Sequence, residues 1–284
     1  MKRWLVTTLA VLVCSAALRA DVTIVQTTTV EGGMAAMAAQ AGAGNMSPKL
    51  TTRVKGQKTR TDVETGPITV ATIIDLATKQ VIILRPDQKT ATMVSVTAPA
   101  AAAGTTPGAA PATPPVTMKL DASVTPTGKS QVIDGLKCDE YKFTTRMNMG
   151  EMTGRQVPPE AAAMMAGVTM VMDGSMWVAK EAPGAAEFLA FQKSAASGEM
   201  ASAAMGASGV NIPGMEKLMK AMSEVQGLTY LTEMTINIEG SGQIADMMKQ
   251  MGAMKVTTKV NSVTTEAISD DLFKVPEGYS VIKQ

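Results

Sequence analysis

The stretch Leu228–Glu239 reads L-T-Y-L-T-E-M-T-I-N-I-E. Leu228, Tyr230, Met234, Ile236 and Ile238 share one parity, and Thr229, Glu233, Thr235, Asn237 and Glu239 share the other. A two-residue period rich in β-branched side chains is the pattern of a strand with one face buried and the other wet. The same period recurs on both sides. Val168–Ala179 precedes this stretch and Lys255–Thr265 follows it. Upstream lie Val22–Val30, Leu50–Val54, Thr59–Val63, Ile68–Asp75, Gln80–Leu84, Lys89–Val96, Met118–Val124 and Lys137–Met147. Gly56, the A-T-K at Ala77–Lys79 and the Pro86-Asp87 pair supply turn chemistry between neighbours, so these segments predict hairpins.

Three segments predict helices. Ala185–Ala196 begins after Pro183 and carries Phe188, Leu189 and Phe191. Met215–Val225 places Met215, Leu218, Met219, Met222 and Val225 at helical spacing, with Asn211 and Pro213 as a start signal. Gln243–Met251 does the same with Ile244, Met247, Met248 and Met251, and Ser241 is its expected cap. A weaker helical pattern covers Glu160–Met165. The fold class is therefore α+β and mainly β, a chiefly antiparallel sheet with two or three helices.

Low-complexity stretches near 32–47, 97–116 and 194–210 separate these elements. They are rich in Gly, Ala, Met, Pro, Thr and Ser, which bury too little surface to offset chain entropy. They read as inserts in hairpin loops of one domain spanning 21–284. A chain of 284 residues is long enough to bury a single core of that size.

Composition excludes several activities. The chain has 26 Lys+Arg, 25 Asp+Glu and no His. Without imidazole there is no Ser-His-Asp or Cys-His set and no His-ligated zinc or haem. A net charge of +1 with 3% aromatic residues lacks the basic footprint that nucleic acid requires. Gly32-Gly33 and Gly240-Ser241-Gly242 lack the strand–turn–helix context of a phosphate or dinucleotide loop. Asp139-Glu140 fall on opposite faces of a strand by parity and Asp270-Asp271 read as a turn before the terminal segment, so neither pair converges. No catalytic set and no cofactor motif is visible, so the protein reads as non-enzymatic.

Residues 1–20 have the layout of an export signal: Lys2 and Arg3, a short apolar run Trp4–Leu18, then Ala20. Cleavage is expected after Ala17 or Ala20, the latter preferred. Val13 ahead of Cys14 argues against lipidation. Cleavage after Ala20 takes Lys2, Arg3 and Arg19 from the 26 basic residues, leaving 23 against 25 acidic and a net charge of −2. No later segment is apolar for long enough to span a bilayer as a helix. The expected location is periplasmic or secreted, in a Gram-negative-type envelope. Cys138 is then the single thiol, and with Asp139 and Glu140 beside it reads as a structural residue and not a nucleophile.

The 24 Met are the unusual chemistry. Met147, Met149 and Met152 form an M-x-M-x-x-M run, and Met247, Met248, Met251 and Met254 form a second cluster. Thioethers are soft ligands that suit Cu(I). They are equally flexible apolar fillers, and the second cluster repeats at the spacing of a core stripe. A sheet and helices lined by Trp177, Met219, Met222, Met234, Ile236, Met247 and Met248 would form a deformable apolar groove.

Four stretches resemble one family. They are I-I-D-L-A-T-K-Q-V-I-I-L-R-P-D-Q-K-T-A (Ile73–Ala91), T-G-K-S-Q-V-I-D-G-L-K-C-D-E-Y-K-F (Thr127–Phe143), M-W-V-A-K-E-A-P-G-A-A-E-F (Met176–Phe188) and D-D-L-F-K-V-P-E-G-Y (Asp270–Tyr279). Together they resemble a secreted bacterial family of unknown function that is similar in fold to the periplasmic lipoprotein carriers LolA and LolB. The resemblance implies one curved antiparallel sheet, an incomplete barrel, packed over its helices. The carriers hold acyl chains between sheet and helices, so the resemblance favours an exported protein that binds a lipid, an acyl chain or a lipidated partner. A Met-rich Cu(I)-binding protein and an envelope interaction module with a closed core stand as the alternatives.

Overall fold

The computed structural model describes residues 21–32, 47–95, 116–117, 120–149, 167–196, 210–211 and 214–283. The expected export signal, the weak helix at Glu160–Met165 and nearly all of the three inserts lie outside the described residues.

The chain is mainly β. Strands are β1 (Val22–Glu31), β2 (Lys49–Lys55), β3 (Lys58–Thr65), β4 (Ile68–Asp75), β5 (Gln80–Arg85), β6 (Thr90–Ser95), β7 (Val116–Thr117), β8 (Leu120–Ile133), β9 (Leu136–Asn148), β10 (Val168–Ala179), β11 (Val210–Asn211), β12 (Leu228–Gly240), β13 (Met254–Thr264) and β14 (Ser280–Lys283). Helices are α1 (Ala185–Ala196), α2 (Met215–Glu224) and α3 (Gln243–Gln250), followed by a 3-10 turn at Asp270–Phe273. One open sheet of 12 strands runs β14-β6-β5-β4-β3-β2-β1-β13-β12-β10-β9-β8. Pairing is antiparallel throughout this sheet except for β14 on β6.

Local chemistry explains the meander from β2 to β6. The Asp75 carboxylate accepts from the backbone N–H of Ala77 at 2.9 Å and of Thr78 at 3.2 Å, closing the β4–β5 turn. Lys79 ends this turn and Lys89 ends the β5–β6 turn in the left-handed region, with φ of 51° and 48°. The first strand then pairs with β13, bringing the beginning of the described chain against its last long strand. This long-range pairing joins the N-terminal meander to the β8–β13 half of the sheet.

Three buried clusters hold the sheet. The largest joins Val22, Ile24 and Val54 to Cys138, Ala179, Leu228, Tyr230 and Val260, with Ala185 and Phe191 of α1 packed in. A second gathers Ile73, Leu84 and Ala91 around Ile268 and Phe273. The third is Met176, Val178 and Val225, flanked by Val124, Tyr141 and Phe143. Among helices, α2 lies against β8, and α3 against β12.

Several expectations need correction. The strand expected at Met118–Val124 runs instead from Leu120 to Ile133. Pro126 and Gly128 look like breakers, but β8 is the edge strand and its register shifts between Pro126 and Ser130. A proline is tolerated where no ladder partner needs its N–H. The single face expected from Leu228 to Ile238 is interrupted. Leu231 lies opposite Trp177 but Thr229 lies opposite Val178, leaving Tyr230 as an extra residue. Such a bulge resets the alternation relative to β10. Ser241 does not cap α3: the cap position is Gly242, without a side-chain hydrogen bond. The cap position of α2 is Gly214, directly after the Asn211–Pro213 start signal, and it too lacks a side-chain hydrogen bond. The insert expected at 194–210 gives up Ser194–Ala196 to α1, and its last residue pairs, since Val210–Asn211 forms a parallel two-strand ladder with Val116–Thr117.

Candidate functional site

Strands β9, β10, β12 and β13 carry both candidate surfaces, one on each face. Their registers set Met170 opposite Ile238, Met172 opposite Ile236, and Ile236 opposite Met254. These even-numbered positions share one face, and the odd-numbered neighbours Asp173, Ser175, Glu233, Thr235, Lys255 and Thr257 share the other.

On the apolar face, α3 covers a cleft of about 60 Å³ lined by Met170, Ile236, Ile238, Met248, Met251, Gly252 and Met254. Ala245 of α3 is fully buried and anchors the helix, whereas Met247 is 57% exposed. The helix hangs between two glycines. Gly242 has φ of +112° and Gly252 of +80°, and nothing lies within 4 Å of where a Cβ would be at either. Both joints can therefore change conformation without dragging packed side chains. Met147 sits directly across from Met170, so the first methionine run begins beside this cleft. Met152 lies outside the described residues.

On the polar face, a groove of about 540 Å³ is lined by Glu140, Lys142, Thr144, Asp173, Ser175, Glu233, Thr235, Lys255 and Thr257, with Phe143, Gly174 and Met234 completing its wall. Glu140 is only 8% exposed and accepts a hydrogen bond of 2.7 Å from the Thr127 hydroxyl. No group of three or more carboxylate, thiol or imidazole side chains suited to a metal occurs among the described residues.

The expected groove residues are thus divided. Ile236 and Met248 meet in the cleft beneath α3. Met234 shares the parity of Ile236 but borders the groove of about 540 Å³ and does not line the cleft. Trp177 packs against the largest buried cluster. Met222 is 38% exposed on α2, and Met247 faces out from α3. The side chain of Met219 lies outside what is described. Met170, Ile238, Met251 and Met254 belong to the cleft and were not singled out as its lining by the sequence. Cross-strand register brings Met170, Ile238 and Met254 to it, and Met251 arrives at the end of α3, at the helical spacing visible in the sequence.

Cys138 is fully buried. Burial pushes its thiol up from the ordinary value, and the Asp139 and Asp134 carboxylates add to the rise. A buried thiol held protonated is a packing residue, not a nucleophile. Burial also raises the Tyr230 phenol.

No family model matches this chain, and no curated protein does. Among solved structures, PNGF-II has a TM-score of 0.35 at 10% identity, covering 93% of this chain, which spans 31% of that protein. An uncharacterized conserved protein from Thermus thermophilus has a TM-score of 0.38 at 7% identity, covering 94% of this chain and 92% of that one. Similarity at this level supports no argument about fold or function.

Proposed function

We propose that this is an exported, non-enzymatic protein whose sheet curves as an incomplete barrel over its helices and binds an apolar guest, a lipid or acyl chain, under α3. The carrying observation is the methionine-lined cleft closed by a short helix suspended between Gly242 and Gly252. At about 60 Å³ the cleft is far below the roughly 300–1,000 Å³ of ordinary ligand sites, so uptake requires α3 to swing away. Methionine surfaces adapt to guests of variable shape. Each apolar Å² removed from water would contribute about 25 cal/mol.

The test is uptake of a fluorescent fatty acid, with native mass spectrometry of protein isolated from a bacterial envelope fraction. Binding lost in Met248→Asp and Met170→Asp, with the circular dichroism spectrum retained, supports the reading. A protein that elutes empty and takes up no probe overturns it.

A second reading draws on the size of the same cleft. Met170, Met248, Met251 and Met254 line a space small enough for a single soft ion. Saturable Cu(I) binding, weakened by changing these four residues to Leu, would assign the cleft to a metal.

A further inference from the structure

We infer that the polar groove on the opposite face of the same strands binds a neutral oligosaccharide. The chemistry of its rows points there. Lys142 lies opposite Ser175, and Asp173 lies opposite Thr144 and Thr235. Glu233 lies opposite Ser175 and Thr257, and Lys255 opposite Thr235. Across each of these pairings a charge meets a hydroxyl, and Lys255 faces an opposite charge only on its other side, where Glu31 of β1 lies across from it.

The consequence is that these four side chains turn to solvent and not to a protein partner. Among the described residues, Lys142, Asp173, Glu233 and Lys255 make no side-chain hydrogen bond or ion pair with one another or with any other residue. Elsewhere the chain pairs its charges readily, as with Lys180 and Asp139 at 2.8 Å and Lys55 and Asp270 at 3.0 Å. Here both signs stand exposed along a shallow groove of about 540 Å³, within the volume range of small-ligand sites.

Each sugar hydroxyl both donates and accepts, so a surface interleaving ammonium donors, carboxylate acceptors and hydroxyls can satisfy it from either side. Charge-assisted bonds of this kind are about twice as strong as neutral ones. A phosphorylated or strongly anionic ligand is disfavoured, because Glu140, Asp173 and Glu233 outnumber Lys142 and Lys255 on the wall.

The experiment is an amide ¹H–¹⁵N NMR titration of the intact protein with three neutral probes: cellotetraose, chitotetraose and maltotetraose. The expected result is saturable shifts at Thr144, Ser175, Thr235 and Thr257 with at least one probe. Affinity should fall at least about tenfold in Asp173→Ala and Glu233→Ala, both exposed positions, with the circular dichroism spectrum of each variant retained. No shift with any probe, shifts outside the groove, or affinity unchanged in both variants overturns the assignment. So does a saturable response at these amides to a lysine–glutamate tetrapeptide in place of the sugars. Fatty-acid uptake under α3 is expected to be unchanged in both variants, which separates this groove from the apolar cleft.

Discussion

Phe143 lies directly opposite Gly174 across β9 and β10, and its ring occupies the space a side chain at 174 would need. A Cβ there would sit 2.7 Å from the ring Cζ and 2.2 Å from the backbone oxygen of Glu233. The glycine is a packing requirement between the two candidate surfaces. Gly174→Ala is expected to cost about 1–3 kcal/mol, as overpacking does. Urea midpoints will show it. Adding Phe143→Ala should restore only part of the loss, because the clash with the Glu233 carbonyl remains.

Arg53 and Arg60 stand directly opposite each other on β2 and β3, a repulsive pairing on its own. Asp62 resolves it. Its carboxylate accepts from Arg53 and from Arg60 Nε and Nη2, while Arg60 Nη1 reaches the carbonyl of Leu272 at 2.9 Å. Asp62→Asn is expected to destabilise by about 1–3 kcal/mol by removing the shared negative charge and one of the two acceptor oxygens from between two guanidinium groups. Arg53→Gln should cost less, since it removes one of the two like charges. Thermal or urea unfolding of both variants gives the order.

Lys55 fastens the final segment. Its ammonium donates to the Ile268 carbonyl at 2.6 Å and lies 3.0 Å from Asp270, while the Asp21 carboxylate accepts from the Ile268 N–H at 2.7 Å. Ile268 and Phe273 are both buried in the second cluster. Phe273→Ala should cost about 3–5 kcal/mol. Lys55→Met should cost about 1 kcal/mol and speed amide exchange at Ile268 more than in β9. Equal acceleration everywhere would contradict a local fastening.

Asp139 and Lys180 set a pH window. The hydrogen bond from Lys180 holds the Asp139 carboxyl below its ordinary value of 3.8, and the same bond holds Lys180 above 10.5. A depressed acid stabilises above its unfolded value and loses that contribution as pH falls through the folded one. A raised base stabilises below its unfolded value and loses that contribution as pH rises through the folded one. The pair therefore contributes fully between about 3.8 and 10.5. The stability gap between wild type and Asp139→Asn should be constant at neutral pH and close at both extremes. Urea midpoints across pH check it.

Much of the fold was legible. Ile68–Asp75 and Val168–Ala179 occupy the residues that their alternation marks out, and α1 begins and ends where Pro183 and the helical pattern place it. The unread elements are those whose signal is weak in isolation. The four residues of β14 are all exposed and carry no clear period. The extension of β8 through Pro126 depends on its being an edge, which is a property of the sheet. Of the residues named for a shared groove, Ile236 and Met248 both line the cleft beneath α3, while Trp177, Met222, Met234 and Met247 are not among its lining.

Periodicity is written residue by residue, so the sequence alone determined a mainly β chain, most of its strands and helices, and the absence of imidazole chemistry. Which strands lie side by side is decided by contacts between residues far apart in the chain, such as Val30 with Val256 and Met170 with Ile238. Only the tertiary structure could therefore divide the methionines from the charged rows, put an apolar cleft on one face of four strands and a polar groove on the other, and leave Tyr230 of β12 as an extra residue against β10.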